Sequence, residues 1–326
     1  MIQNILNRSF LKDKLDILCV PIHERFESNV CRTGHNFWAW RGKQVKDWNS
    51  DFAPLPSNYF LLNPEKGEKQ IPLHVDIDLV ISGNKFGCFQ VMGHYANKLD
   101  VPLISVEHTA PHPSWPKHQL DALKSMRGDI NIFISEWSRR QWGWEDDEAI
   151  VIHHGIDTDV FRPLDLDRKS TILTTVNEYS KRDWCCGYNL YKEVTKDLPA
   201  LNVGNDPPFS QPAKSIEDLV KHHNESSVFL NTSTYSPFPM SVFEAMACED
   251  IVVSLPTCMI PEVITHGVNG LLVNNARDMR NILIDILKNR SKYEYLGKNA
   301  RKTILEKFSL EKFVSSWNGV MNGLCN

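Results

Sequence analysis

Apolar residues along this chain fall into short dense runs separated by amphipathic stretches, and the two kinds alternate from end to end. Leu15–Val20 (LDILCV) has strand length and too little polar alternation for a half-solvated strand, so it predicts a buried one. Leu79–Ser82, Leu103–Val106, Ile130–Ile134 and Ala149–Ile152 share that character, while Phe89–Leu99 and His118–Lys124 between them have helical spacing. A polar joint, LDLDRKS, follows Pro163, and the rhythm restarts with a strand at Thr171–Val176. Strand Ser227–Asn231, helix Ser241–Ala247, strand Ile251–Leu255, helix Pro261–Thr265, short strand Gly270–Val273 and helix Arg277–Lys288 follow. Strands alternating with helices predict parallel sheets covered on both faces, twice over. The expected class is α/β: two doubly wound, Rossmann-like domains with parallel sheets facing a cleft, divided at the Arg162–Ser170 joint.

Composition narrows the field. A chain of 326 residues with 42% hydrophobic and 23% charged residues is neither disordered, fibrous nor a disulfide-stapled miniprotein. The net charge of −4 advertises no global affinity for polyanions. Residues 1–46 are the local exception, with Lys and Arg outnumbering Asp and Glu. The eight cysteines show no C-x-x-C pair and no zinc spacing, and several sit in apolar runs, which points to a reducing compartment. No apolar stretch reaches the ~18 residues of a membrane helix, and the first apolar run is too short for a secretory signal. The expectation is a cytoplasmic protein, or one in a host's cytoplasm if the source is viral.

The densest chemistry lies after Asn231. Pro237 and Pro239 make a turn, and Ser241 is placed to cap a helix beginning near Val242. Backbone N–H groups at such a helix start favour an anion. Glu244 in its first turn suits ribose hydroxyls, or it simply complements the helix dipole.

This stretch resembles the donor-binding segment of retaining glycosyltransferases of the GT-B fold, the large family 4 group. The elements that match in order and spacing are Glu244-Ala245-Met246-Ala247, Pro261-Glu262-Val263 and Asn269-Gly270-Leu271-Leu272-Val273. His154–Pro163 (HGIDTDVFRP) is similar to the hinge segment of the same enzymes, and Ile130–Arg139 to the strand-and-Ser element before it. The resemblance covers roughly residues 75–310. It implies an acceptor-side domain over residues 1–163, a nucleotide-sugar domain over 164–309, and a last helix in 310–326 returning to the first domain.

For the donor site, the resemblance implies Lys181 and Arg182 on the diphosphate, Glu244 on the ribose, and Ser236, Phe238, Met240 and Ser241 along the sugar. Fixed cations there stabilise a leaving group as it gains charge. No divalent metal or other cofactor is then needed, although Asp76-Ile77-Asp78 and Asp157-Thr158-Asp159 have the form of Mg²⁺ triplets. A uridine nucleotide is the expected carrier. Departures fall on the sugar half: the family's first Glu is Ser236, a Gly is Pro239, and a Gly pair is Cys258-Met259. Ser236 is shorter and neutral, and Pro239 donates no N–H, so a donor with fewer hydroxyls than a hexose, such as a pentose, is expected.

On the acceptor side, His108 after the LISVE strand resembles the family His that approaches the donor sugar; a buried His bonded to backbone is the alternative. His23 and Glu24, after the first strand, are the candidates for general base, with Glu27 beside them. Arg32, His35, Trp38, Trp40, Arg41 and Lys43 then interleave charge with rings. That pairing suits a polyanion with flat bases, and equally a carbohydrate whose C–H face packs on aromatic rings. Trp137–Trp144 either joins this patch or packs at the domain edge. The opening segment looks similar to compact viral and phage glycosyltransferases, which makes DNA bearing 5-hydroxymethylpyrimidines the first acceptor expectation and a glycan or lipopolysaccharide the second. An epimerase, a phosphorylase or a non-catalytic binding protein of the same fold remain the competing classes.

Overall fold

The computed structural model describes residues 14–41, 47–63 and 70–325. Clustering of contacts divides the chain into two units, one running to His154 and taking up the chain again from Glu311, the other Gly155–Leu310.

In the first unit the order is β1 Asp16–Cys19, α1 Glu24–Val30, β2 Asn36–Trp40, β3 Tyr59–Leu62, β4 Leu79–Ser82, α2 Phe89–Leu99, β5 Leu103–Glu107, α3 Lys117–Lys124, β6 Ile130–Phe133, α4 Glu136–Gln141 and β7 Ile150–Val151. The seven strands run parallel in the order β3-β2-β1-β4-β5-β6-β7. Ile17 lies between Phe37 and Leu79, so β1 is central. Every residue of β1, β4 and β5 is buried, as a parallel sheet covered on both faces requires. β2 and β3 are strands that the sequence pattern did not announce.

The second unit holds β8 Lys169–Thr174, α5 Asp183–Cys186, α6 Tyr188–Thr195, β9 Ala200–Asn202, α7 Ile216–Glu225, β10 Ser226–Asn231, α8 Met240–Ala247, β11 Val252–Ser254, α9 Ile260–Val263, β12 Leu271–Leu272, α10 Ala276–Lys288 and α11 Glu294–Lys307. Its five parallel strands are ordered β12-β11-β10-β8-β9. The core, built around Ile172, Val228, Leu230, Val253 and Leu283, sits under α6 and α10. Side-chain caps start α7 at Ser215 and α10 at Asn275. The last helix, α12 Leu310–Cys325, brings Phe313 and Trp317 against Phe26 of α1. Two parallel-sheet α/β units are thus present, as the strand–helix alternation predicts.

Candidate active site

In a doubly wound sheet the place for a ligand is outside the carboxyl ends of the strands, where the strand order reverses. In the second unit that point lies between β8 and β10, because β9 is added on one side of β8 and β10–β12 on the other. The loop after β8 carries Lys181 and Arg182, both exposed. It is fixed from below. Asp206 accepts the Ser180 N–H at 2.6 Å and its hydroxyl at 2.9 Å, and Asn177 Oδ1 accepts the Asn205 N–H at 2.8 Å. Tyr179 is fully buried and its hydroxyl bonds Thr232 Oγ1, just past β10. Thr232 also donates to the Cys186 carbonyl at 2.9 Å. Between these, Gly187 has φ +72, and a Cβ there would lie 2.2 Å from the Thr232 carbonyl, so only glycine fits. The loop carrying the cations is therefore held against the chain just past β10. Lys181 Nζ is 3.9 Å from Glu178 Oε1, an exposed pairing too weak to neutralise it.

α8 begins at Met240 and not near Val242, with Pro239 at its cap position and no side chain capping it. Ser241 is therefore inside the first turn and does not cap the helix. Proline's fixed φ and missing N–H suit this boundary without a hydroxyl cap. Phe238 is buried and stacks on Phe243 at 4.3 Å, so it supports the helix from inside. Glu244 is 3% exposed in a helix whose Val242, Phe243, Ala245 and Met246 are buried. A carboxylate placed there is paired or hydrogen-bonded. The Ser236 N–H donates to Cys258 Sγ at 3.2 Å.

The first sheet reverses order between β1 and β4. His23 follows β1 and caps α1, its Nδ1 accepting the Arg25 N–H at 3.3 Å. Glu24 Oε1 accepts the Asn49 N–H at 3.0 Å. Glu27 is 3% exposed and accepts the Ile22 N–H at 2.9 Å, which ties the β1 loop to its helix. Burial pushes the Glu27 carboxyl up to about 8. Its observed role is structural, holding the β1 loop to α1.

His108 follows β5. Its ring stacks on His154 at 5.3 Å and meets the edge of Phe26 at 4.4 Å. Burial, with the His23 imidazole adding to it, lowers its pKa to about 3, so it is a neutral imidazole at pH 7. Its Nε2 is buried without a hydrogen-bond partner. Glu107 sets this loop by accepting the Lys85 N–H and the Thr109 N–H, each at 2.9 Å, and the Thr109 hydroxyl at 2.6 Å. Glu107, Asp206, Tyr179 and Thr232 escaped the sequence reading. The one available signal was a charged residue closing the apolar run LISVE.

The aromatic–basic run fares differently from its expectation. Trp38 is buried in β2, its Nε1 donating to Asp16 Oδ1 at 2.9 Å and its ring stacked on Phe60. His35 is also buried and accepts the Leu15 N–H at 3.2 Å. Both hold the sheet together and neither is an acceptor surface. Trp40 is half-buried against the same core, Arg41 pairs with Asp47, Arg32 is exposed, and Lys43 lies outside the described residues. In Trp137–Trp144, Trp142 and Trp144 are core residues and Trp142 Nε1 donates to the Thr109 carbonyl at 3.0 Å, so that patch packs inward. Asp78 accepts the Asp16 N–H at 2.8 Å, and Asp157 closes its own turn onto Asp159 and Val160. No group of three metal-ligating side chains occurs among the described residues, and none of their helices is long and apolar enough to cross a membrane.

Known proteins agree with this geometry. Residues 190–303 match the model of the family Glycosyl transferases group 1. The chain is 26% identical over 198 residues to a probable sucrose-phosphate synthase of Thermosipho melanesiensis, covering 51% of this chain and 45% of that protein. It is 32% identical over 199 residues to the N-acetyl-alpha-D-glucosaminyl L-malate synthase of Bacillus anthracis, covering 56% and 47%. The matched chain thus spans about half the length of these two relatives. The crystal structure of Anabaena HepE in complex with UDP has a TM-score of 0.76 over 95% of this chain and 100% of its own, at 16% identity, a likeness of fold. The fold is that of the GT-B glycosyltransferases, and the family match lies within the second unit.

Proposed function

We propose that this protein transfers a glycosyl group from a nucleoside-diphosphate sugar to a hydroxyl acceptor, with retention of configuration. The observation that carries the proposal is the switch point of the second sheet, where the loop bearing Lys181 and Arg182 is tied to Thr232 just past β10, inside the segment matched by the family. Lys181 and Arg182 take the diphosphate and stabilise it as the glycosidic bond breaks. Glu244 takes the ribose, and the Ser236–Ser241 loop faces the sugar. UDP is the proposed nucleoside diphosphate, in keeping with the UDP bound to HepE. With Ser236 in place of a carboxylate, the donor sugar is one with few hydroxyls to satisfy, a pentose among them. No side chain at this switch point stands out as a covalent nucleophile. The proposed route is same-face displacement, in which the departing phosphate takes the acceptor proton.

On the first unit, His23 and Glu24 are the groups proposed to orient the acceptor, and His108 is the one proposed to approach the glycosyl group. Two acceptor classes were expected, DNA bearing 5-hydroxymethylpyrimidines and a glycan. Burial of Trp38 and His35 removes two of the groups proposed for either acceptor, and the assay below decides between the classes. The test is nucleoside diphosphate release from a panel of nucleotide sugars, with hydroxymethylcytosine-containing DNA, with glycan acceptors, and with neither. Release that needs one donor and one acceptor class establishes the transferase and names both. Turnover of a donor without release of nucleoside diphosphate indicates an epimerase. Binding without turnover indicates a non-catalytic protein of this fold.

A further inference from the structure

Beside the proposed sugar loop stands an aromatic pair that the donor-site residues leave unused. Trp184 is the second residue of α5, two positions after Arg182, and is 55% exposed. Its ring lies 6.0 Å from that of Tyr235, tilted by 36°, and Tyr235 immediately precedes Ser236. This exposure belongs to a pinned backbone. The Trp184 carbonyl accepts the Thr234 hydroxyl at 2.9 Å, and the Cys185 carbonyl accepts the N–H groups of Thr234 at 2.9 Å and Tyr235 at 3.1 Å. A large apolar face held in water forgoes about 25 cal/mol per Å² that a covering ligand would recover.

The loop next to it offers little to sugar hydroxyls. The Ser236 N–H is already given to Cys258 Sγ at 3.2 Å. Pro237 and Pro239 have no N–H to give. Cys258 itself adopts φ 53, a left-handed backbone that a non-glycine residue rarely takes, and its thiol keeps the Ser236 loop in place. Few backbone N–H groups are on offer here, while Trp184 presents an exposed ring and Tyr235 a half-buried one packed on the core.

We infer that Trp184 and Tyr235 form the face on which the sugar ring of the donor rests, so that this subsite recognises a C–H face more than a set of hydroxyls. The inference rests on the donor-site reading above. It makes Trp184 a specificity-determining residue for a glycosyl group such as a pentose or a deoxyhexose.

The test is calorimetric titration of a panel of UDP- and GDP-sugars into the wild-type protein. The tightest nucleotide sugar and its matching nucleoside diphosphate are then titrated into Trp184→Ala and Trp184→Phe. Trp184→Ala is expected to weaken the nucleotide sugar about tenfold while leaving the nucleoside diphosphate within about twofold, and Trp184→Phe to restore most of the loss. Equal weakening of both ligands, or no weakening of either, overturns the sugar platform and leaves the donor site standing. Wild-type protein that binds no member of the panel contradicts the donor-site reading and the platform that rests on it.

Discussion

At the switch point of the second sheet, Lys181, Arg182 and Trp184 stand in solvent on loops tied down from beneath by Asp206, Tyr179 and Thr232. At the switch point of the first sheet, and on the neighbouring loop after β5, the ionisable groups are drawn inward: Glu27 under Ile22, and His108 between Phe26 and His154. One unit presents its cations in solvent; the other keeps Glu27 and His108 inside and leaves His23, Glu24 and Arg25 nearer the surface. A diphosphate is suited by the first kind of surface. The same topology serves both because a parallel sheet fixes where loops emerge and leaves their chemistry to the sequence.

The comparison can be broken at several points. The largest effect is expected from Trp38→Ala, since removing a buried aromatic from β2 should cost about 3–5 kcal/mol in a denaturant titration. An unmoved midpoint would return that ring to the surface and to the acceptor. Glu244→Ala should weaken nucleotide binding by about thirtyfold or more, the loss of charged hydrogen bonds to ribose, and titration of UDP reads it directly. Unchanged affinity would remove the ribose assignment. Replacing Lys181 and Arg182 together with alanine should lower affinity about tenfold and flatten its salt dependence, because the affected charges are exposed.

Glu27 sharpens the other side. Its folded pKa, about 8, lies above the ordinary 4.5, so the folded state holds a proton that the unfolded chain has lost between those values. Stability should therefore fall as pH rises from about 4.5 to about 8, and Glu27→Gln should flatten that slope in thermal melts. A wild-type melting temperature that rises across this window contradicts the buried, protonated carboxyl. The smallest effect is expected from chelation: if Lys181 and Arg182 hold the diphosphate as proposed, excess EDTA should change turnover by less than about twofold. A collapse of activity that Mg²⁺ restores would transfer the charge-stabilising role from Lys181 and Arg182 to a metal.

The two units also differ in how far their sequences could be read. In the second, β10, the proline turn, α8, β11 and α9 follow one another in the chain, so local pattern and family resemblance locate them within a few residues. Ser241 misled because a hydroxyl beside a helix start is the usual cap, while here Pro239 sets the boundary. In the first unit, β2 is written NFWAW among basic residues, which has the composition of a binding surface. Its burial depends on Asp16, which lies in β1 and accepts from both Asn36 and Trp38. No local pattern reports that pairing. Glu27 was hidden for the same reason: apart from Phe26 it lies in a polar run, His23–Asn29, and it is held inside by the loop that it ties down.

Amide hydrogen exchange with and without saturating UDP tests the central claim most directly. The account predicts protection of residues 177–186 and 232–244, the loops at the switch point of the second sheet. Protection confined to residues 20–30 and 107–112 of the first unit, or none anywhere, would contradict it.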